Sequence, residues 1–191
     1  YIISKIPNAD LMECYLNRGT AYLKLANTIK STTPQSHETT INYQNAIDDF
    51  TKVIQNEGSR LPIAYTRRAN AYYELQNSKA AWDDLNIALK ERPNCQETNY
   101  HLAVALLLSK KTQEAISCFE KAASLKDEGY FIRIKTILCA LYYERKEYKK
   151  TISCSQEALD HVEGPNAVVF QKFIYEAQKA LQKEIPPKSP K

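Results

Sequence analysis

This sequence of 191 residues contains little glycine and little histidine. Only four glycines are present, and no two of them lie within six residues of each other, so the chain has no glycine-rich loop that could hold a phosphate group. The three histidines lack the paired cysteine or histidine spacing of a metal site. From these shortages we expect no catalytic residues, no bound metal and no cofactor.

Long apolar runs and strong charge are missing as well. No stretch approaches the roughly 18 apolar residues of a membrane-spanning helix, so we expect no membrane span. The net charge of +4 slightly favours acidic partners, but it lacks the clustered lysine and arginine of a nucleic-acid-binding protein. The five cysteines include no CxxC pair. Because disulfides belong to oxidising compartments, this odd number of thiols predicts a cytoplasmic protein.

What the sequence does contain is a pattern of small and aromatic residues between positions 64 and 93. Residues spaced four and then three positions apart lie on one face of a helix, and this spacing occurs twice. The first set is Tyr65, Ala69 and Tyr72, the second is Ala81, Leu85 and Ala88, and Pro93 follows. Because the small residues allow two helices to approach closely, the segment predicts an antiparallel helix pair.

The same pattern recurs along the chain. A shift of 34 residues gives Asn99, Ala103, Leu106, Ala115, Phe119 and Ala122, and a further shift of 36 gives Lys135, Cys139, Tyr142, Thr151, Ser155 and Ala158. An earlier copy is Tyr15, Gly19, Tyr22, Ala46, Phe50 and Val53, with about 15 extra residues inside it. Each pair leaves an apolar face that a neighbour must cover, so we expect the pairs to stack in a row.

This series resembles the tetratricopeptide repeat (TPR), which is about 34 residues long. Tyr65 stands where the family often has tryptophan, and Gln76 stands where it usually has glycine. The resemblance implies an all-α fold, a right-handed superhelical array of antiparallel helix pairs with a C-terminal capping helix. It also implies a non-catalytic protein-protein interaction module, a scaffold or adaptor that binds a peptide or helix of a partner in its concave groove.

The turns between repeats divide the chain. The four repeats cover 11–58, 62–93, 94–127 and 129–162, and the last of them is degenerate. Residues 1–10 are interpreted as the end of an upstream repeat or an N-terminal extension, and residues 185–191 as a proline-rich extended tail. The segment 166–184 is either the capping helix or the first helix of a further repeat.

The first repeat contains an insertion at about 27–43, which is rich in threonine, serine and asparagine. Because it also contains Pro34, we expect a loop from Ser31 to Thr40. The loop is either a tolerated insertion in a surface turn or a partner-specific element, since long loops are often functional.

Two acidic pairs occupy the same place in the second helices of the first and second repeats. They are Asp48 with Asp49 and Asp83 with Asp84. Paired carboxylates can act as acid and base in catalysis. Their recurrence at one position of the repeat instead favours a solvated helix face, so we assign no enzymatic role to them.

In the family that this chain resembles, the first helices of successive repeats line a concave groove. Residues of those helices that lie outside the small and aromatic packing set are predicted to face it. The candidates for partner binding offer hydrogen-bond donors or flat amphipathic rings. They are Asn17, Lys24, Arg67, Asn70, Tyr73, Tyr100, His101, Arg133 and Tyr143.

Two alternative functions are open at this point. One is the carboxylate clamp of co-chaperones, which in the related family grips the acidic C-termini of heat-shock chaperones. Asn17 and Arg67 match that motif, whereas Ile63 stands where the motif has lysine. The other is a regulatory or targeting segment of a larger multidomain enzyme. The sequence identifies neither the partner nor the oligomeric state.

Overall fold

The computed structural model describes residues 8–33, 36–57, 61–125 and 129–184, which form helices joined by short turns. The helices are α1 (Asn8–Thr32), α2 (His37–Glu57), α3 (Pro62–Glu74), α4 (Ser78–Glu91), α5 (Gln96–Leu108), α6 (Thr112–Ser124), α7 (Phe131–Glu144), α8 (Tyr148–Leu159) and α9 (Pro165–Glu184). Strands are absent from these ranges, so the all-α prediction is confirmed. None of the described helices is both long enough and apolar enough to cross a membrane.

Consecutive helices pack in pairs, α1 with α2, α3 with α4, α5 with α6 and α7 with α8. The small residues that predicted this arrangement are fully buried, namely Ala69, Ala81, Ala103 and Ala115. The first helices of neighbouring pairs also meet, because α3 contacts both α1 and α5. The helix pairs therefore form the repeat array that the periodic small residues predicted.

One large side chain from the second helix fills the core of each of the first three pairs. Phe50, Leu85 and Phe119 occupy equivalent positions and are fully buried. The fourth pair has Ser155 at this position. Phe170 of α9 is fully buried in the apolar cluster of the third and fourth pairs, so the last helix brings a large side chain to this part of the core.

The loop predicted inside the first repeat is wrong. α1 continues to Thr32 and α2 begins at His37, so the inserted residues lengthen both helices. These two helices have 25 and 21 residues, whereas those from α3 to α8 have 12 to 14. The added turns pack against each other, and the Tyr43 hydroxyl donates a hydrogen bond of 2.7 Å to Asn27 Oδ1. Pro34, which suggested the loop, lies outside the described residues.

The turns inside the three shorter pairs share an unusual backbone conformation. The residues concerned are Gln76, Lys110 and Lys146, with φ angles of 61°, 60° and 61°. This left-handed region is unfavourable for residues with a Cβ atom. In the second of these turns, the N–H groups of Lys110 and Lys111 donate to the carbonyls of Leu107 and Leu106, both at 2.9 Å. This is the helix-ending motif that glycine normally completes, which explains why the family usually has glycine at the position of Gln76.

The acidic pairs of the second helices differ from the prediction. The first aspartate of each pair is exposed, as expected, whereas the second is buried. Asp49 accepts two hydrogen bonds of 2.7 Å from the Arg18 guanidinium, and Asp84 accepts two of 2.8 Å from Arg68. The expected solvated face is therefore wrong for Asp49 and Asp84, because both carboxylates pair with an arginine of the preceding helix.

The last helix, α9, packs against α8 and α7 at the place expected of the capping helix. Phe170 and Ala177 of α9 are fully buried, whereas Gln171 and Gln178 are exposed. At the other end, α1 begins at Asn8, so residues 8–10 form its first turn. Segments 1–7 and 185–191 lie outside the described residues. We predicted a repeat end or an N-terminal extension for the first of them and an extended tail for the second.

Candidate partner-binding groove

A groove runs along the first helices of the pairs. Its volume is about 710 Å³, and side chains of α1, α3, α5 and the start of α7 line it. The lining is mostly polar, so the groove offers hydrogen bonds and charge more than apolar area. Its location agrees with the concave surface predicted from the repeat pattern.

The extension of α1 supplies one wall of this groove. Lys24, Asn27, Thr28 and Ser31 line it, and they follow the spacing of a single helix face. The last three of these residues belong to the segment that the sequence assigned to an insertion. The insertion therefore contributes to the groove as a helix and not as a loop.

Arg67 of α3 connects the first helices of three consecutive pairs. Its Nη1 donates a hydrogen bond of 2.8 Å to Thr20 Oγ1 of α1, and its Nε donates one of 3.3 Å to Glu97 Oε1 of α5. About a quarter of the Arg67 side chain remains exposed (26%). Because these bonds already orient the guanidinium, a ligand carboxylate would bind it with little loss of side-chain freedom.

His101 of α5 is the most buried polar side chain among the described residues that line the groove. It is 7% exposed, and its Nε2 atom has no hydrogen-bond partner among the described residues. Burial, together with the nearby charges of Arg133 and Arg67, lowers the pKa of His101 to about 4, so the imidazole is neutral at pH 7. A buried polar atom without a partner is rare in folded proteins. A neutral imidazole nitrogen can bond a ligand as a donor or as an acceptor, depending on its tautomer.

Tyr130, which directly precedes α7, and Arg133 of α7 close the groove. The Tyr130 ring lies 5.8 Å from that of His101, and the Arg133 guanidinium lies 6.0 Å from the Tyr130 ring centre. Burial raises the pKa of Tyr130, and the Glu97 carboxylate adds to the rise. Among the described lining residues, three cations face a single carboxylate, so the groove favours a ligand that carries negative charge.

The structure brings five of the nine predicted binding residues together. They are Lys24, Arg67, Asn70, His101 and Arg133. Tyr100 lies behind this group, with its ring 4.8 Å from that of Tyr130 and 5.9 Å from that of Phe119. Tyr100 therefore supports the groove from within the core and does not line it.

The other three predicted residues lie elsewhere. Asn17 is exposed on α1 but does not line the groove. Tyr73 is half-buried and packs against the apolar cluster of the second pair. Tyr143 lies 5.6 Å from the ring of Tyr148 and lines a separate apolar cleft beside α9. These tyrosines share a repeat position with groove residues, yet their length and apolar character favour packing against neighbouring helices.

Sequence reasoning missed Tyr130 and the end of α1. Tyr130 precedes α7 and is not part of the recurring small and aromatic set, so no periodic signal identifies it. For Asn27, Thr28 and Ser31 a signal existed, because together with Lys24 they continue one helical face. The abundance of threonine and serine, together with Pro34, favoured a loop there and obscured this face.

Comparison with known proteins agrees with the fold. The family model described as tetratricopeptide repeat matches residues 96–128, which include α5 and α6. No curated protein sequence matches the chain at a significant level.

Solved structures resemble the whole array. One is a thermophilic TPR protein of Thermus thermophilus, with 15% identity and a TM-score of 0.57 over 88% of this chain and 99% of that protein. Another is pilF of Pseudomonas aeruginosa, with 17% identity and a TM-score of 0.60 over 94% of each chain. At these identities the likeness concerns the fold alone. Residues 96–128 therefore match a tetratricopeptide repeat, and the described array of helix pairs has the fold of TPR proteins.

Proposed function

We propose that this chain is a non-catalytic interaction module that binds a segment of a partner protein in the groove between α1, α3, α5 and α7. TPR folds generally serve as protein-interaction scaffolds, because their curvature creates an extended concave surface. The observation that carries the proposal is the unpartnered, buried Nε2 atom of His101, which lines a groove together with Arg67 and Arg133. A peptide group placed there would complete the hydrogen bonding of this atom, which is otherwise costly to bury.

The polarity of the groove favours a peptide with acidic side chains. Arg67 and Arg133 can bond carboxylates, and Asn70 can bond the peptide backbone. Lys24 and the polar end of α1 extend the surface, so an elongated ligand fits better than a compact one. Of the remaining candidates, Tyr100 supports this surface from the core, whereas Asn17, Tyr73 and Tyr143 lie outside it.

The test is a fluorescence-anisotropy titration with a labelled peptide library that contains acidic, neutral and basic members. Acidic peptides should bind best, and Arg133→Ala should weaken their binding about tenfold, the effect of losing one charge-assisted hydrogen bond. Arg145→Ala is a matched control, because Arg145 is an exposed arginine that follows α7 and pairs with Glu147 outside the groove. Equal binding of all three classes, or equal loss in both variants, would contradict the proposal.

The carboxylate clamp is a narrower form of the same proposal. Arg67 lines the groove as a clamp residue should, whereas Asn17 does not. The clamp requires a free C-terminal carboxylate on the peptide. Amidation of that terminus should abolish binding if the clamp operates, and it should change little if acidic side chains are what the groove recognises.

This binding function fits a scaffold or adaptor protein. It fits a regulatory or targeting segment of a larger multidomain enzyme equally well. Both functions use the same groove, and the length of the full reading frame distinguishes them. We further propose a cytoplasmic location, supported by five cysteines that are all unpaired. Fractionation of cells that express a tagged full-length protein tests this location.

A further inference from the structure

Two buried cysteines lie where α7 packs on α8. Cys139 of α7 is fully buried, and Cys154 of α8 is 7% exposed. Each of the two thiols shifts the pKa of the other, lowering that of Cys139 and raising that of Cys154. Cys139 Sγ also lies 3.2 Å from Ser155 Oγ, and Cys154 Sγ lies 4.0 Å from the Lys135 carbonyl oxygen. This paired-thiol site plays no part in the proposed groove.

The repeat itself provides a measure of how closely these two positions approach. In the first pair, Gly19 and Asp49 occupy the positions equivalent to Cys139 and Cys154. A Cβ atom built on Gly19 would lie 3.2 Å from Asp49 Cβ. Disulfides join Cβ atoms about 3.5–4.5 Å apart. The helices of the first pair thus approach at these positions slightly more closely than a disulfide requires, and Cys139 and Cys154 occupy the same repeat positions in α7 and α8.

We propose that Cys139 and Cys154 form an oxidative modification site, which a hydroperoxide converts into an intramolecular disulfide between α7 and α8. In the first step one thiolate attacks the terminal oxygen of the hydroperoxide, forming a sulfenic acid and releasing an alcohol. In the second step the other sulfur attacks the sulfenic sulfur and displaces hydroxide, which leaves as water. Overall the two thiols lose two protons and two electrons, and the hydroperoxide is reduced to an alcohol and water.

The surroundings of the pair favour ionisation of the Cys139 thiol. The neighbouring Cys154 thiol lowers the pKa of Cys139, and the Ser155 hydroxyl and the Lys135 ammonium lower it further, against the opposing effect of burial. The thiolate is the reactive form of cysteine. Cys154 lines a cleft of about 320 Å³ together with Lys135 and Lys150, and this cleft gives a small oxidant a route to the pair.

The third helix pair contains a natural control. Cys118 of α6 occupies the position equivalent to Cys154, but Ala103 stands opposite it where α7 has Cys139. Burial raises the pKa of Cys118, and no second thiol faces it at the equivalent position. Oxidation should therefore leave Cys118 without an intramolecular disulfide. The Ala103→Cys variant would recreate the pair and should form a second disulfide, between α5 and α6.

The experiment treats the 191-residue chain with hydrogen peroxide, blocks the remaining thiols with iodoacetamide in denaturant, and maps tryptic peptides by mass spectrometry. We expect a disulfide between the peptides 136–145 and 151–172, which contain Cys139 and Cys154, and its reversal by dithiothreitol. Because the bond closes a short loop, the oxidised chain should unfold at a temperature higher by about 5 °C or more.

The Cys139→Ala variant should fold, because alanine occupies the equivalent position in the second and third pairs. This variant should lose both the linked peptides and the rise in unfolding temperature. Two results would overturn the proposal. One is alkylation of both thiols in the wild-type chain after peroxide treatment. The other is a disulfide that joins Cys154 to the exposed Cys14 in preference to Cys139.

Discussion

The first two helix pairs and the next two place different kinds of side chain at the same repeat positions. At one pair of equivalent positions, the N-terminal pairs contain arginine and aspartate, whereas the C-terminal pairs contain leucine and cysteine. The former are Arg18 with Asp49 and Arg68 with Asp84, and the latter are Leu102 with Cys118 and Leu138 with Cys154. All four pairs nevertheless have the same antiparallel helix packing.

The comparison shows that the fold does not require ions at this position. An ion pair must be desolvated when it is buried, and apolar residues of similar volume often stabilise a core as well or better. Once an arginine is buried, however, the carboxylate of the paired aspartate is needed to compensate its charge. The N-terminal pairs should therefore tolerate loss of one partner poorly, and tolerate exchange of both partners well.

The largest effect is expected from Asp84→Ala. The Arg68 side chain is only 15% exposed, and without Asp84 its guanidinium would be buried next to uncharged groups. We expect the free energy of unfolding, measured by urea denaturation, to fall by about 3 kcal/mol or more. The double variant Arg68→Leu, Asp84→Cys, which copies the C-terminal pairs, should lose less than about 1 kcal/mol.

The equivalent substitution in the first pair tests the role of burial. Arg18 is 53% exposed, so water can solvate it after Asp49→Ala. The loss should be smaller, about 1.5–2 kcal/mol, at the lower end of the range for hydrogen bonds to charged groups. If both alanine variants lose the same stability, burial of the arginine does not explain the difference between the pairs.

The C-terminal pairs should differ from the N-terminal ones in their pH dependence, because α5 contains His101. The pKa of His101 is about 4 in the folded chain, against about 6.5 in an unfolded one. Between these values the unfolded chain binds a proton that the folded chain does not, so stability decreases as pH falls from about 6.5 to about 4. The loss should reach about 3 kcal/mol at the lower end of this range.

Urea denaturation of wild type and His101→Gln across this pH range measures that loss. The variant should have a flatter profile than the wild type. His37→Gln, a substitution at an exposed position of α2, is the matched control. If the free energy of unfolding of His101→Gln depends on pH as steeply as that of the wild type, groups other than His101 cause the pH dependence.

The smallest effect concerns a feature that both halves share. Lys110 adopts a φ of 60° in the turn between α5 and α6, and Gln76 adopts a φ of 61° between α3 and α4. Glycine relieves the strain of this conformation, although it loses more conformational freedom on folding than lysine does. Because the relief of strain is the larger effect, Lys110→Gly should stabilise the chain by about 0.5–1 kcal/mol. Gln76→Gly should have a similar effect in thermal denaturation. A gain in one half only would mean that the turns are not equivalent.

Much of the fold was predictable because it depends on local spacing. The burial of Ala69 and Ala103, the helix pairs and the position of α9 all follow from residues that lie three or four positions apart. The loop predicted at Ser31 to Thr40 failed because composition outweighed periodicity in that prediction. Of the candidate binding residues, Arg67, His101 and Arg133 line the groove, whereas Tyr73 and Tyr143 pack against neighbours that the local sequence does not specify.

The repeat spacing in this sequence was sufficient to specify the class of the fold, since helix pairing depends on which small residues share a helix face. The tertiary structure was needed to decide which polar groups are buried and with whom. The bond between Arg67 and Thr20 joins residues 47 positions apart, and the contact between Cys139 and Cys154 depends on the crossing of two helices. Such contacts arise from the stacking of whole helices, and no short window of sequence contains both partners.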